Sequence, residues 1–277
     1  MRRPILTLLL LVLCLGCVAQ DFPKRIFSGY QGDFHVQGAA YDRQRQCVYM
    51  SFTTKLMKYD LQGRLIASVN GLTGHLGCIG INPDDGRLYG SLEYKHDVIG
   101  TGITGNLGVK NDARTGFYVA IFDLDKIDPT HIHESGPAKP RAKYFVYTGN
   151  SDYGIQNLEY DASTGYMFAA VYHGYKSQWP RYEMYAIDTR VKPHKGWLRG
   201  VEPREKAPRL TLVRSGKPSA GGEVWGWERT RGATGMIALG NGLFYLSENG
   251  LVKTKGKGNY TNLRLYRWSD DKGFVRQ

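Results

Sequence analysis

The chain has 277 residues, 42% of them hydrophobic and 22% charged, a balance that excludes an intrinsically disordered protein. Its 35 Gly, 19 Tyr, 10 Phe and 11 Pro favour turns and strands, and no long stretch sustains a 3.6-residue apolar period, so the sequence predicts an all-β fold. The formal net charge of +12 points towards anionic partners such as acidic glycans or lipid headgroups.

In chain order, residues 1–19 have the parts of an export signal: Arg2 and Arg3, an apolar run from Ile5 to Leu15, then small residues at Gly16, Cys17 and Ala19. The run is too short for a spanning helix. Two processings fit. Cleavage after Ala19 would give a soluble protein, whereas Leu15-Gly16-Cys17 resembles the end of a bacterial lipobox, which would make Cys17 a lipidated membrane attachment. Either predicts a periplasmic, outer-surface or extracellular protein, which argues against a nucleic-acid partner. Cys47 and Cys78 are then the remaining thiols, both in predicted strands with apolar neighbours, and are expected to be buried and free.

Residues 20–277 are expected to form a single β-propeller domain built from four recognisable repeats. After a short strand at Lys24 to Ser28, the first unit reads HVQGAAYD, QCVYMSF and LMKYDLQGRLIASV. The second reads HLGCIGINPDDG, RLYGSLEY, FYVAIFDLDKI and AKYFVYTG, with a long Gly-rich loop expected at Lys95 to Thr115. The third reads GIQNLEYDASTG, YMFAAVYHG, EMYAIDT and RLTLVRSG, and the fourth ATGMIALGNG, LFYLSENG, NLRLYRWSDD and GFVRQ. Tyr49, Tyr89, Phe168 and Tyr245 fall at one place in successive second strands. Asp60, Asp123 and Asp188 close the third strands, where an acidic side chain can cap a tight turn.

One such sheet cannot bury both faces, so its repetition implies sheets stacked around an axis. The segment Ser215 to Ala233 has room for further strands, leaving four or five blades open, and the strand at Lys24 to Ser28 should close the ring by pairing with the last unit. The basic segment Arg190 to Arg209, broken by Pro193, Pro203 and Pro208, reads as a solvated loop. The repeats resemble those of bacterial exported propeller proteins with irregular repeats. Phe34-x-x-Gln37-Gly38 is similar to a motif of propeller-type glutaminyl cyclases, but the later units do not follow it and no catalytic residue is carried over.

In a propeller, connections from outer to inner strands and from second to third strands emerge on one face. Those loops hold His35 and Gln37, His75, Tyr153, Gln156 and Asn157, and then Glu93, Lys95, His96 and Asp97, Tyr172 and His173, and Glu248 and Asn249. Three chemistries suit them. Carboxylates such as Asp33, Glu93, Asp152 and Glu248 could form the acid/base pair of a glycoside hydrolase, whose two carboxyl groups stand roughly 5–10 Å apart. The histidines could instead ligate a divalent metal. A base with a neutralising cation would serve a polysaccharide lyase. The candidate catalytic groups are therefore His35, His75, Glu93, His173 and Glu248; the remaining residues are candidate ligand contacts. The expectation is a pocket that binds or processes a saccharide, an anionic one included. The alternative is a cell-surface protein-interaction scaffold without catalysis, which would show an exposed apolar patch instead.

Overall fold

The structure is a computed structural model that describes residues 21–83, 85–112, 116–133, 144–149, 155–199 and 204–277. The expected signal and Cys17 lie outside these residues. The alternating runs form the predicted strands. After β1 (Arg25–Phe27), the first sheet is β2 (Val36–Asp42), β3 (Cys47–Phe52), β4 (Lys55–Asp60) and β5 (Leu65–Asn70), paired antiparallel in that order. The second is β6 (His75–Ile81), β7 (Leu88–Tyr94), β8 (Gly116–Asp123) and β9 (Asp128–His133), with a helix α1 (Val98–Leu107) between β7 and β8. The third starts β10 (Ile155–Asp161), β11 (Tyr166–Val171), β12 (Tyr182–Asp188) and is followed by a hairpin, β13 (His194–Trp197) with β14 (Lys206–Arg209). Short strands β15 (Lys217–Pro218) and β16 (Trp225–Glu228) complete the third sheet. The fourth holds β17 (Met236–Gly240), β18 (Leu243–Val252), β19 (Gly258–Ser269) and β20 (Gly273–Arg276).

These four sheets are the blades of a four-bladed β-propeller. The Ser215–Ala233 segment adds β15 and β16 to blade three and does not form a fifth blade. As expected, the ring is closed by the amino-terminal strand: β1 pairs antiparallel with β19, Ile26 opposite Leu263. Closure is also a packing event. Phe22 and Ile26 join one buried cluster with Val36, Met50 and Tyr59 of blade one and Tyr245, Leu263 and Leu265 of blade four. The Tyr59 hydroxyl donates to the Ser28 carbonyl (2.7 Å) and the Tyr245 hydroxyl to that of Pro23 (2.8 Å), so both phenols satisfy backbone groups that the ring closure buries.

The repeat assignment has a physical basis in both marker positions. Asp60, Asp123 and Asp188 each accept a backbone N–H two residues on, from Gln62, Asp125 and Arg190, all at 3.0 Å. Tyr49, Phe168 and Tyr245 are fully buried, each in the cluster that joins its blade to the next. Tyr89 takes the corresponding place in blade two, is half-buried, and donates its hydroxyl to Asp85. Among the described residues no buried apolar cluster joins blades two and three.

Five expectations are corrected. AKYFVYTG is not the outer strand of blade two; that strand is β9, and Phe145 instead bridges Arg209 beside blade three. The run RLTLVRSG supplies only part of an outer strand: Leu212 bridges Ile187, while β16 pairs with the other half of β12 at Tyr182 and Met184. Lys95 to Thr115 is not all loop, because Asp97 accepts from the N–H groups of Ile99 and Gly100 and starts α1, which ends on Gly108 in the left-handed region. Residues 194–197 and 206–209 of the basic segment pair as a hairpin. Cys47 is buried, but Cys78 is exposed, since its side of β6 is not covered; both thiols are free. No described helix is long and apolar enough to cross a membrane.

Candidate functional site

The second-to-third-strand connections and the starts of the inner strands share one face, and on it the predicted residues gather in two groups. The first lies over blades one and two. His75 pairs across the ladder with Glu93, whose Oε2 takes an ion pair from Lys95 (2.8 Å), while its Oε1 is buried and has no described partner. Burial lowers the pKa of His75, against an opposing pull from Glu93 and with smaller lowering contributions from Lys95 and His35. His35 is open to solvent on one side, yet the protein around it desolvates the ring enough to lower its pKa as well. Gln37 lies 3.2 Å from the His35 ring and donates to the Thr53 hydroxyl (3.3 Å). Both imidazoles are therefore neutral at neutral pH, beside a carboxylate with one free acceptor.

The second group forms a cleft of about 280 Å³ between blades three and four, lined by Tyr172, His173, Glu183, Thr230, Arg231, Thr234, Ser247 and Asn249 among others. Tyr172 and His173 follow β11, where the second strand ends. Glu183 is the second residue of β12 and stands 3.6 Å from His173 Nδ1. Burial raises the pKa of Glu183, with His173 and Arg231 opposing, and burial raises that of Tyr172. The loop before β17 supplies residues 230–234, with Gly232 at φ +107°, and β18 supplies Ser247 and Asn249. Thr234 and Ser247 share a hydroxyl–hydroxyl bond (2.9 Å), and Asn249 donates to Thr234 (2.7 Å). The Thr230 hydroxyl is buried and has no described partner.

The other expected residues are placed as follows. Glu248 is not at a strand end, because β18 runs on to Val252; it accepts from the Tyr266 hydroxyl (2.6 Å) and has Arg264 at 3.7 Å and Arg276 at 3.9 Å. That carboxylate is already compensated by its neighbours. Asp97 caps α1 and His96 is exposed beside it. Gln156 and Asn157 lie on β10, half-buried and buried, at a bulge in its pairing with β11. Asp152 and Tyr153 lie outside the described residues. Among the described residues no three His, Cys, Asp or Glu side chains stand together as metal ligands.

No protein-family model matches the chain, and no curated protein matches it. Solved structures do. One is a protein of unknown function from Bacteroides caccae, at 10% identity over 68% of this chain and 56% of that one, with a TM-score of 0.26. Another is the beta-propeller domain of Cps50 (Swd1) from Myceliophteria thermophila, at 12% identity over 83% of this chain and 54% of that one, with a TM-score of 0.24. The chain spans little more than half the length of these two structures. At such values they carry no argument about the site.

Glu183, Thr230, Arg231, Thr234 and Ser247 are cleft residues that the sequence reading did not single out. Glu183 carried a signal: it is the one charged residue inside an otherwise apolar third strand, YEMYAID, ahead of the turn-capping Asp188. A different acid, the half-buried Glu159, ties the inner strands of the same two blades, its Oε1 accepting from the Ala238 N–H (2.6 Å). Burial pushes its pKa up to about 7, against the Ala238 bond and Arg43, with Asp161 adding to the rise. The folded value exceeds the unfolded one of about 4.3, so the native state holds the extra proton. Its stabilising contribution is then full below about pH 4 and lost as the pH rises through 7. Glu159→Gln should flatten this dependence: relative to wild type, the variant should gain about 1–2 kcal/mol between pH 5 and pH 8. Urea unfolding at the two pH values measures it, and parallel pH profiles would refute it.

Proposed function

We propose that the protein binds an anionic saccharide in the cleft between blades three and four. The observation that carries this reading is the bonded polar series Asn249, Thr234 and Ser247 on the cleft lining, with Asn249 and Arg231 exposed there. A polyhydroxylated ligand offers donors and acceptors to the exposed Asn249 amide, which the Thr234 and Ser247 hydroxyls hold in place behind it. Tyr172 gives an aromatic wall, and Arg231, exposed at the mouth, gives a cation for a carboxylate. The volume of about 280 Å³ is at the small end of ligand sites, which suits a short stretch of sugar. Export, and anchoring through Cys17 where the lipobox is used, would place this cleft among extracellular glycans.

A second reading is favoured by one feature, the pair His173–Glu183 beside Arg231. Among the described residues Glu183 is the one carboxylate lining the cleft, and that lining suits a lyase-type proton removal better than a two-carboxylate hydrolysis. In that step His173 takes the proton next to the uronate carboxyl, Arg231 neutralises the carboxylate, and the carbon–oxygen bond to the next sugar breaks as the double bond forms, the departing oxygen taking a proton from water.

Titration calorimetry with uronic-acid and neutral oligosaccharides tests the binding reading. Arg231→Ala should weaken binding of the acidic ligand about tenfold to thirtyfold and barely change a neutral one. No binding of either class by the wild type would overturn the proposal. Appearance of the ultraviolet absorbance of an unsaturated uronate, lost in His173→Ala, would establish the lyase.

A further inference from the structure

We infer that the outward face of the β13–β14 hairpin is a docking surface for an anionic phospholipid membrane. The hairpin is an excursion between the third and fourth strands of blade three, so it leaves the propeller on the face opposite the cleft. Its register puts Trp197 across from Lys206 and Lys195 across from Pro208. Because side chains alternate across a strand, Lys195, Trp197, Arg204, Lys206 and Pro208 share one side. All of these are exposed. The other side is turned inward: Ala207 is buried, and Leu198 and Arg209 line a small cavity with Phe145, Val146 and Tyr147.

Two other cations of this segment are engaged by acids. Arg190 pairs with Asp188 and Arg199 with Glu223. Lys195, Arg204 and Lys206 have no ion pair with any described residue. Two of them instead sit over the indole of Trp197, Arg204 at 4.6 Å and Lys206 at 4.7 Å from the ring centre. An exposed Trp ringed by unpaired cations matches the headgroup layer of a bilayer, where the indole occupies the interface and the cations meet phosphate. With the π-face engaged by cations, the ring is poorly placed to stack on a sugar, which favours lipid over an acidic glycan as the occupant. Docking here holds the cleft away from the membrane. The inference does not depend on what the cleft binds.

The test is co-sedimentation of the full chain with vesicles of phosphatidylcholine alone or mixed with phosphatidylglycerol. The residues before Phe22 are common to all proteins compared, so the readout is the difference between variants. Arg204→Ala with Lys206→Ala should lower partitioning onto the mixed vesicles about thirtyfold, the equivalent of ~1 kcal/mol per cation. Trp197→Ala should lower it on both vesicle types. Lys253→Ala with Lys255→Ala removes the same charge from the opposite face and should leave partitioning unchanged. All these side chains are exposed, so thermal unfolding should be unaltered and confirms folding. Equal loss in both double variants, or no preference of the wild type for phosphatidylglycerol, overturns the inference. Hairpin-dependent binding of polygalacturonate without vesicle binding also overturns it and assigns the surface to glycan. Loss of cleft binding with the hairpin intact would sink the saccharide reading alone.

Discussion

Replacing Phe168 with Ala should lower the unfolding free energy by about 3–5 kcal/mol, the range for deleting a buried aromatic ring. Phe168 has no exposed surface and lies on β11 of blade three. Its ring meets three rings of blade four: Trp268 at 4.6 Å, Phe244 at 5.1 Å and Phe274 at 5.1 Å between centres. These contacts are edge-on or tilted, the geometries that add to the burial of apolar area. Phe274 belongs to β20, so the same cluster fastens the carboxy-terminal strand to β19. Little can collapse into the space, because its neighbours are held by one another, as with Trp268 against Trp227 at 4.7 Å. Denaturant unfolding should show a lower midpoint with an unchanged slope. Phe168→Leu, which keeps most of the volume, should lose clearly less. A loss below about 1 kcal/mol in Phe168→Ala would mean that blades three and four are not joined through this ring.

That cluster also separates what the sequence reveals from what it does not. Phe168 was identifiable as the blade-three counterpart of Tyr49 and Tyr245, because a second strand is covered on both sides and its alternation is uninterrupted. The capping aspartates were equally legible, since an Asp at a strand end followed by a turn has one economical use. Outer strands are different. They are paired along one edge only and need carry little apolar pattern, so AKYFVYTG looked a better strand than DPTHIH, which forms β9. The helix α1 was hidden by its own glycines at 100, 102 and 105, although Asp97 and Gly108 were available as its two caps. At the site, Tyr172 and His173 were found because they follow a second strand, and Asn249 because the sequence was read as ending β18 there, although the strand runs on to Val252. Arg231 and Thr230 were not singled out because nothing in the sequence fixes which residues of a loop line a cleft.

Valine at position 38 should destabilise the propeller by about 3 kcal/mol, at the upper end of the usual overpacking cost. A Cβ at Gly38 would stand 2.8 Å from the Ile79 nitrogen, 2.9 Å from the Cys78 Cα and 3.0 Å from the Ser51 hydroxyl. Two of these are backbone atoms of β6, so relief requires the inner strands of blades one and two to separate. Their closeness is also what brings His35 and His75 within electrostatic reach of each other. The expected Tm decrease is about 6–12 °C, from ~2–4 °C per kcal/mol for a domain of this size. The His75 titration should move back towards its ordinary value as the ring becomes more hydrated. Gly80 is the contrast on the same strand: a Cβ there meets no atom within 4 Å, and its φ is not in the left-handed region. Gly80→Ala should therefore be neutral or stabilise by up to ~1 kcal/mol, through the smaller entropy of the unfolded chain. Were both substitutions equally damaging, glycine in β6 and β2 would be serving backbone conformation. Only the predicted asymmetry attributes Gly38 to the close approach of inner strands that sets the histidines side by side.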